Sequence, residues 1–171
     1  DVMPILATLV DDRLIHGRVV IGWGQPLRLN YIAIVDDAVA GSEWERELYR
    51  MGLPPEIDAH FVTLEGAVTA IPRWNADPAN GLILLASIAS ARYLAERGQF
   101  RQQRVTLSGI SPASSRERIL PYLSLSPKER EDLLAISREA VAIEARDLPG
   151  STPVELDQVL RVDRVPTAGL I

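Results

Sequence analysis

His16, one of only two histidines in the chain, closes the stretch Asp11-Asp12-Arg13-Leu14-Ile15-His16-Gly17, where an apolar run breaks into charge. An imidazole at such a place has two simple uses: to move a proton, or to accept a group covalently as a nucleophile. Arg13 stands close by in sequence, near enough in a tight loop to offer a planar fork of donors to phosphate oxygens. The backbone N–H groups from Gly17 onward begin a helix and would also point at an anion. Asp11 or Asp12 could hold one ring nitrogen and so present the other. Together these groups describe a phosphoryl site on a nucleophilic histidine. Against it stands the commoner case, in which a lone histidine near a strand end is structural or solvated, and the residue types alone leave both open.

The elements on either side must position that loop. Pro4-Ile5-Leu6-Ala7-Thr8-Leu9-Val10 is short, apolar and branched, which predicts a strand buried on both faces. Val19, Val20, Ile21 and Trp23 have the spacing of a helix packing on a sheet. Asp11 to His16 is then the loop at a strand's carboxyl end, the usual ligand position in open α/β sheets.

The rest of the chain repeats the alternation. Tyr31 to Val35 is a second buried strand, ending on Asp36-Asp37. Ser42 and Glu45 form a capping-box pattern that opens a helix, stopped by Gly52 and Pro54-Pro55. Trp44, Leu48 and Met51 share one face of it and are expected in the core. A strand from Ile57 to Leu64 contains His60, to which a structural role is assigned. Thr63 caps a helix over Glu65 to Ile71, and Pro72 to Pro78 reads as a turn-rich connection. Gly81 to Ala86 is another apolar strand, and Ser87 caps a helix with Ala91, Leu94 and Ala95 inward and Gly98 at its end.

Arg104 to Leu107 is a fifth strand, leading into the loop Ser108-Gly109-Ile110-Ser111-Pro112. Ile119 and Tyr122 to Ser124 suggest a hairpin around Pro121. Ser126-Pro127-Lys128-Glu129 is a helix start of cap, proline and box glutamate, and that helix runs to about Glu139. Ala140 to Ala145 is the last good strand. Thr152-Pro153-Val154-Glu155 repeats the start signal, giving a short helix to Leu160. Strands alternating with helices imply parallel crossovers and an α/β wound sheet.

Composition narrows the function classes. The chain has 171 residues, 47% hydrophobic and 24% charged, a globular composition of one-domain size. Eighteen basic against 23 acidic side chains give a net charge of -5 with no run of like charge, which argues against nucleic acid as a partner. Without cysteine there is no disulfide frame or thiolate metal site, and two histidines leave little for zinc. No apolar stretch approaches the ~20 residues of a spanning helix, and the first residues lack a signal peptide's basic flank. A cytoplasmic protein that meets the membrane only through partners is expected.

The segment Asp11 to Gly17 resembles the active-site loop of the enzyme IIB component of the mannose/fructose/sorbose family in the bacterial sugar phosphotransferase system. The family pattern is Asp-Asp-Arg-Leu-Ile-His-Gly-Gln-Val; here it is unchanged through Gly17, then reads Arg18 and Val19. Further matches follow in order at Gly22-Trp23, Val35-Asp36-Asp37-Ala38-Val39-Ala40, Pro54-Pro55, Leu148-Pro149 and Pro153-Val154-Glu155-Leu156. The likeness covers residues 1–160 as one IIB domain and leaves 161–171 as a tail of unassigned role.

The resemblance implies an open, three-layer, mostly parallel sheet of about seven strands, with helices on both faces and an antiparallel strand near one edge. It implies that His16 takes a phosphoryl group from a phosphohistidine on a IIA partner and gives it to a sugar carried by membrane IIC and IID partners. Arg13 would steady the transferring oxygens, and Asp11 would orient the loop or the imidazole. Asp12, Gly17, Arg18 and Asp36 complete the expected phosphate- and partner-binding set. No cofactor is expected, since family members pass phosphate between histidines without a metal. A magnesium site remains a minor reading: if strands one and two are neighbours, Asp11, Asp12, Asp36 and Asp37 gather beside His16. A homo-oligomer is compatible with the sequence.

Departures from the family pattern sit around the same loop. Arg18 replaces glutamine and adds positive charge. Gly22, Gly24 and Pro26 weaken the first helix, which should stop early. Ala86-Ser87-Ile88-Ala89 and Ser108-Gly109-Ile110 replace the family's turns after the fourth and fifth strands. Two functions therefore stand: a phosphocarrier with His16 as covalent relay, or a regulatory module on the same scaffold whose phosphorylation reports sugar supply.

Overall fold

The computed structural model describes residues 4–161. Seven strands form one sheet in the order β3-β2-β4-β1-β5-β8-β9. They are β1 (Ile5–Asp11), β2 (Tyr31–Val35), β3 (Asp58–Val62), β4 (Gly81–Leu85), β5 (Arg104–Gly109), β8 (Ala142–Ala145) and β9 (Val154–Glu155). All neighbours pair in parallel except β9, which runs antiparallel to β8 at one edge. A separate hairpin, β6 (Glu117–Leu120) and β7 (Leu123–Leu125), follows β5. The helices are α1 (Asp37–Ala40), α2 (Glu43–Met51), α3 (Leu64–Ala76), α4 (Ile88–Glu96), α5 (Pro127–Ser137) and α6 (Leu156–Arg161), with a π-helical segment at Arg18–Trp23.

The period-two alternation of the central strands divides the core. Val10, Val35, Ile83, Leu85, Val105 and Leu107 pack with α3, α4, α5 and the hairpin. Leu9, Ile32, Ile34, Leu82 and Leu84 turn the other way, onto Leu14, Val19, Trp23 and Val39. With both faces covered, these strands need continuous apolar runs, which is what made them visible in the sequence.

The structure corrects four expectations. β1 and β2 are not neighbours: β4, buried at all five positions, lies between them. Trp44, Leu48 and Met51 face solvent, being 73%, 50% and 82% exposed, because α2 packs through Tyr49 instead. α3 runs on through Pro72 to Ala76. Proline has no N–H for the carbonyl four residues back, and that carbonyl, Val68 O, accepts from Gln99 Nε2 at 3.4 Å. Val154-Glu155 is not a helix start but pairs with Ala145 and Glu144, so that α6 begins at Leu156. Of the amides after His16, Val19 N and Val20 N both donate to His16 O at 3.0 Å, while Gly17 N and Arg18 N meet no partner among the described residues.

The expected early end of the first helix is found, with Trp23 as its last residue. Gly24 is obligatory there, since a Cβ would lie 2.2 Å from Val20 O. At α5 both halves of the capping box form between Ser126 and Glu129. The proposed tail lies, beyond Arg161, outside the described residues.

Candidate active site

β1 ends where the chain connections leave in opposite directions, toward β2 on one side and, from its neighbour β5, toward β8 on the other. Crevices of this kind open beyond the carboxyl ends of strands. Asp11 is the last residue of β1 and is fully buried. Its Oδ1 accepts from Arg13 N at 3.1 Å, and its Oδ2 accepts from Ser108 Oγ at 3.3 Å. Oδ2 also lies 2.9 Å from His16 Nε2. A buried carboxylate facing a ring nitrogen at that distance favours the tautomer with hydrogen on Nε2, which leaves a lone pair on Nδ1.

The loop between these two residues is bent to deliver that contact. Leu14 adopts φ 57°, a left-handed conformation that costs a leucine on the order of 1 kcal/mol. Its side chain is anchored in the core at 4% exposure, and Leu14 N donates to Asp11 O at 3.0 Å. The turn therefore swings His16 back over Asp11 while its side chain keeps 17% of its surface in solvent. Gly17 adds no bulk beside it, and nothing lies within 4 Å of where its Cβ would be.

Arg13 and Arg18 both line a cleft of about 210 Å³ with Gly109, Ser111, Pro121 and Tyr122. His16 is not in that lining; it is joined to the cleft through Asp11, whose carboxylate lies against Gly109. The Arg13 side chain is 51% exposed, and its Nε is 3.9 Å from Asp11 Oδ1, so it is loosely held and free to meet an anion. Burial raises the Tyr122 hydroxyl above its usual pKa, with Asp147 and Glu144 adding to this and Arg146 and Arg18 opposing it.

Asp12 serves a different end. Its two oxygens accept from Ser111 N and Ser111 Oγ, each at 2.8 Å, which ties the β5–β6 loop to the histidine loop. Arg116 lies 3.6 Å from Asp12 Oδ2 and donates to Ser111 O and, through Nε and Nη2, to Glu129. Asp36 caps α1 by accepting from Val39 N at 3.0 Å, and Asp37 accepts from Leu64 N at 2.8 Å. With β4 between β2 and β1, the four aspartates the magnesium reading needed do not converge.

Sequence reasoning placed the Ser108-Gly109-Ile110 loop at the active rim but missed the individual contacts of Ser108, Gly109, Ser111 and Arg116 as supports of the site. Their signal was weak: a Ser-Gly loop after a strand is common. The contact between Gly22-Trp23 and Leu148 was equally hidden. Trp23 Nε1 donates to Asp147 O at 3.0 Å, and a Cβ on Gly22 would meet Leu148 Cδ2 at 2.4 Å.

Gly109→Ala tests the close approach. The new Cβ would lie 2.8 Å from Asp11 Oδ2, and the buried carboxylate has no room to retreat. We expect a loss of about 1–3 kcal/mol in urea unfolding, as for overpacking in a tight core; an unchanged midpoint would mean Asp11 is not fixed as described.

Residues 5–168 match the family described as PTS system sorbose subfamily IIB component. The chain belongs to that family. An N-acetylgalactosamine-specific phosphotransferase enzyme IIB component 1 of Escherichia coli is 25% identical over 149 residues, 85% of this chain and 92% of that protein. The mannose-specific EIIAB component of Escherichia coli is 22% identical, covering 96% of this chain and 51% of its own length. The crystal structure of the IIBSor domain of the Klebsiella pneumoniae sorbose permease superposes with a TM-score of 0.81 at 24% identity, covering 92% of this chain and 97% of that one. This IIB component thus shares their α/β sheet. Among its described residues no helix is long and apolar enough to cross a membrane.

Proposed function

We propose that this IIB component is a phosphocarrier: His16 accepts a phosphoryl group from a phosphohistidine on a IIA partner and passes it to a sugar delivered by membrane IIC and IID partners. The observation that carries this is the 2.9 Å contact of His16 Nε2 with the buried Asp11 carboxylate. The Nδ1 lone pair attacks phosphorus, the donor's P–N bond breaks, and its electron pair returns to the donor ring. Asp11 then faces the positive charge that the phosphorylated ring carries at Nε2–H, which stabilises the intermediate without touching the phosphoryl oxygens. In the second transfer a sugar hydroxyl attacks the same phosphorus and gives its proton to solvent water, the P–N bond breaks, and its electron pair restores the lone pair on His16 Nδ1. Arg13 and Arg18 draw the oxygens in; Asp12 and Gly17 keep the loop in place and the approach open.

The family, and a relative whose name joins IIA to IIB, support IIA as the donor. The carrier would work on the cytoplasmic side and reach the membrane through its permease. The test is incubation with phosphorylated IIA, followed by mapping of an acid-labile, base-stable label. Label on any residue other than His16 would sink the assignment. Label that reaches His16 but never a sugar, with the permease present, would replace the carrier with the regulatory role.

Arg13→Ala is expected to slow uptake by about tenfold, the scale of losing one charged donor at a partly solvated site. Folding should barely change, because an exposed pair at 3.9 Å contributes little. Unaltered single-turnover rates would remove Arg13 from the site.

A further inference from the structure

β3 ends the sheet, and two strands, β2 and β4, separate it from β1 and the histidine loop. In a parallel ladder alternate residues bond to each side. Asp58 N donates to Asn30 O, and Val62 O accepts from Asp36 N, so Asp58, His60 and Val62 bond toward β2. Ala59 and Phe61 therefore turn their N–H and C=O groups outward, where they meet no partner among the described residues. An edge of this kind is a template for another strand unless something blocks it.

A cleft of about 510 Å³ runs along this edge between α2 and α3. Arg46, Arg50 and Arg73 line it together with His60 and Trp74, and no carboxylate does. In a chain of net charge -5 this is a local reversal of sign. Arg46 is anchored by donating to Ala40 O, and Arg50 lies 5.1 Å over the Phe61 ring while pairing with Glu47. Arg73 is exposed and has no carboxylate partner among the described residues. His60 and Trp74 stack at an interplanar angle of 13°, forming a flat aromatic wall beside the open backbone.

We propose that this edge takes an extended acidic segment of a partner protein as an added strand. Two outward residues supply main-chain bonds, and the guanidiniums select for carboxylates at alternate positions of the incoming chain. A second copy of this chain is the poorer occupant, because pairing identical edges would face arginines with arginines. The proposal is independent of phosphoryl transfer, since none of these residues belongs to the histidine loop.

The test is fluorescence anisotropy of a labelled peptide of about eight residues alternating Val with Glu. Binding is expected at least about tenfold tighter than for the same peptide with Lys in place of Glu. R73E, and separately N-methylation of alternate peptide nitrogens in the probe, should each weaken it by about tenfold or more. The N-methylated probe leaves the protein untouched, so its loss of binding reports strand addition rather than misfolding. Absence of binding, equal binding of the Lys peptide, or indifference to N-methylation would overturn the proposal. So would equal competition by a short thymidine oligonucleotide, or self-association of the chain that excludes the peptide.

Discussion

His16→Ala is expected to abolish phosphoryl uptake from phosphorylated IIA, with no label above background at any exposure time. The donor's P–N bond can break toward this chain only if a nucleophile occupies the Nδ1 position, and no other histidine can stand in. His60, the second of the two, sits in β3 stacked against Trp74. Alanine also leaves the Asp11 carboxylate without one of its donors, at a cost of about 1–3 kcal/mol for a buried polar group. His16→Gln separates chemistry from stability. Its amide N–H can still reach Asp11, so the fold should be nearly as stable as with His16, yet uptake should be equally absent. Label retained in His16→Gln would place the acceptor elsewhere.

Asp11→Asn carries the second large effect. Asp11 takes donors from three directions: His16 Nε2, Arg13 N and Ser108 Oγ. An asparagine has one acceptor oxygen and one donor nitrogen, so it must turn one of them against its neighbours. If the oxygen serves Arg13 N, the amide N–H faces His16 Nε2, and the ring proton moves to Nδ1. The nucleophilic lone pair is then on the wrong nitrogen. Uptake should fall by about 10³–10⁴-fold, the upper figure being the scale of a wrong tautomer in a catalytic carboxylate–imidazole pair. Rapid-quench single-turnover kinetics with saturating phosphorylated IIA measure this directly. The ring tautomer, read by ¹⁵N chemical shifts, should change in step. A rate within threefold of the unsubstituted protein would show that Asp11 does not set the tautomer.

The linear sequence determined the elements because the central strands are buried on both faces. Tyr31–Val35 and Gly81–Leu85 are apolar at nearly every position, and Ser87 and Ser126 carry cap signals that act within one turn. It also marked the loop proposed as reactive, since Asp11, Arg13 and His16 lie within six consecutive residues at the end of one such strand. Local rules were insufficient where a distant group supplies what is missing. Pro72 should have ended α3, but Gln99 takes up the carbonyl it frees. The apolar stripe of α2 should have been inside, but Tyr49 on another face meets the core.

Sequence alone thus determined which strand presents the loop, because periodicity and capping are short-range effects written in neighbouring residues, and the resemblance of that loop singled out His16 as the residue proposed to carry the phosphoryl group. Only the tertiary structure decided that Asp11 Oδ2 meets the ring at Nε2, and that Asp12 turns instead to Ser111. It also decided that β4 parts β1 from β2, and that Ser108 on β5 and Ser111 and Arg116 in the segment after it brace the loop. Those are contacts between segments about a hundred residues apart, fixed by strand order and close packing, and no spacing within the chain encodes them.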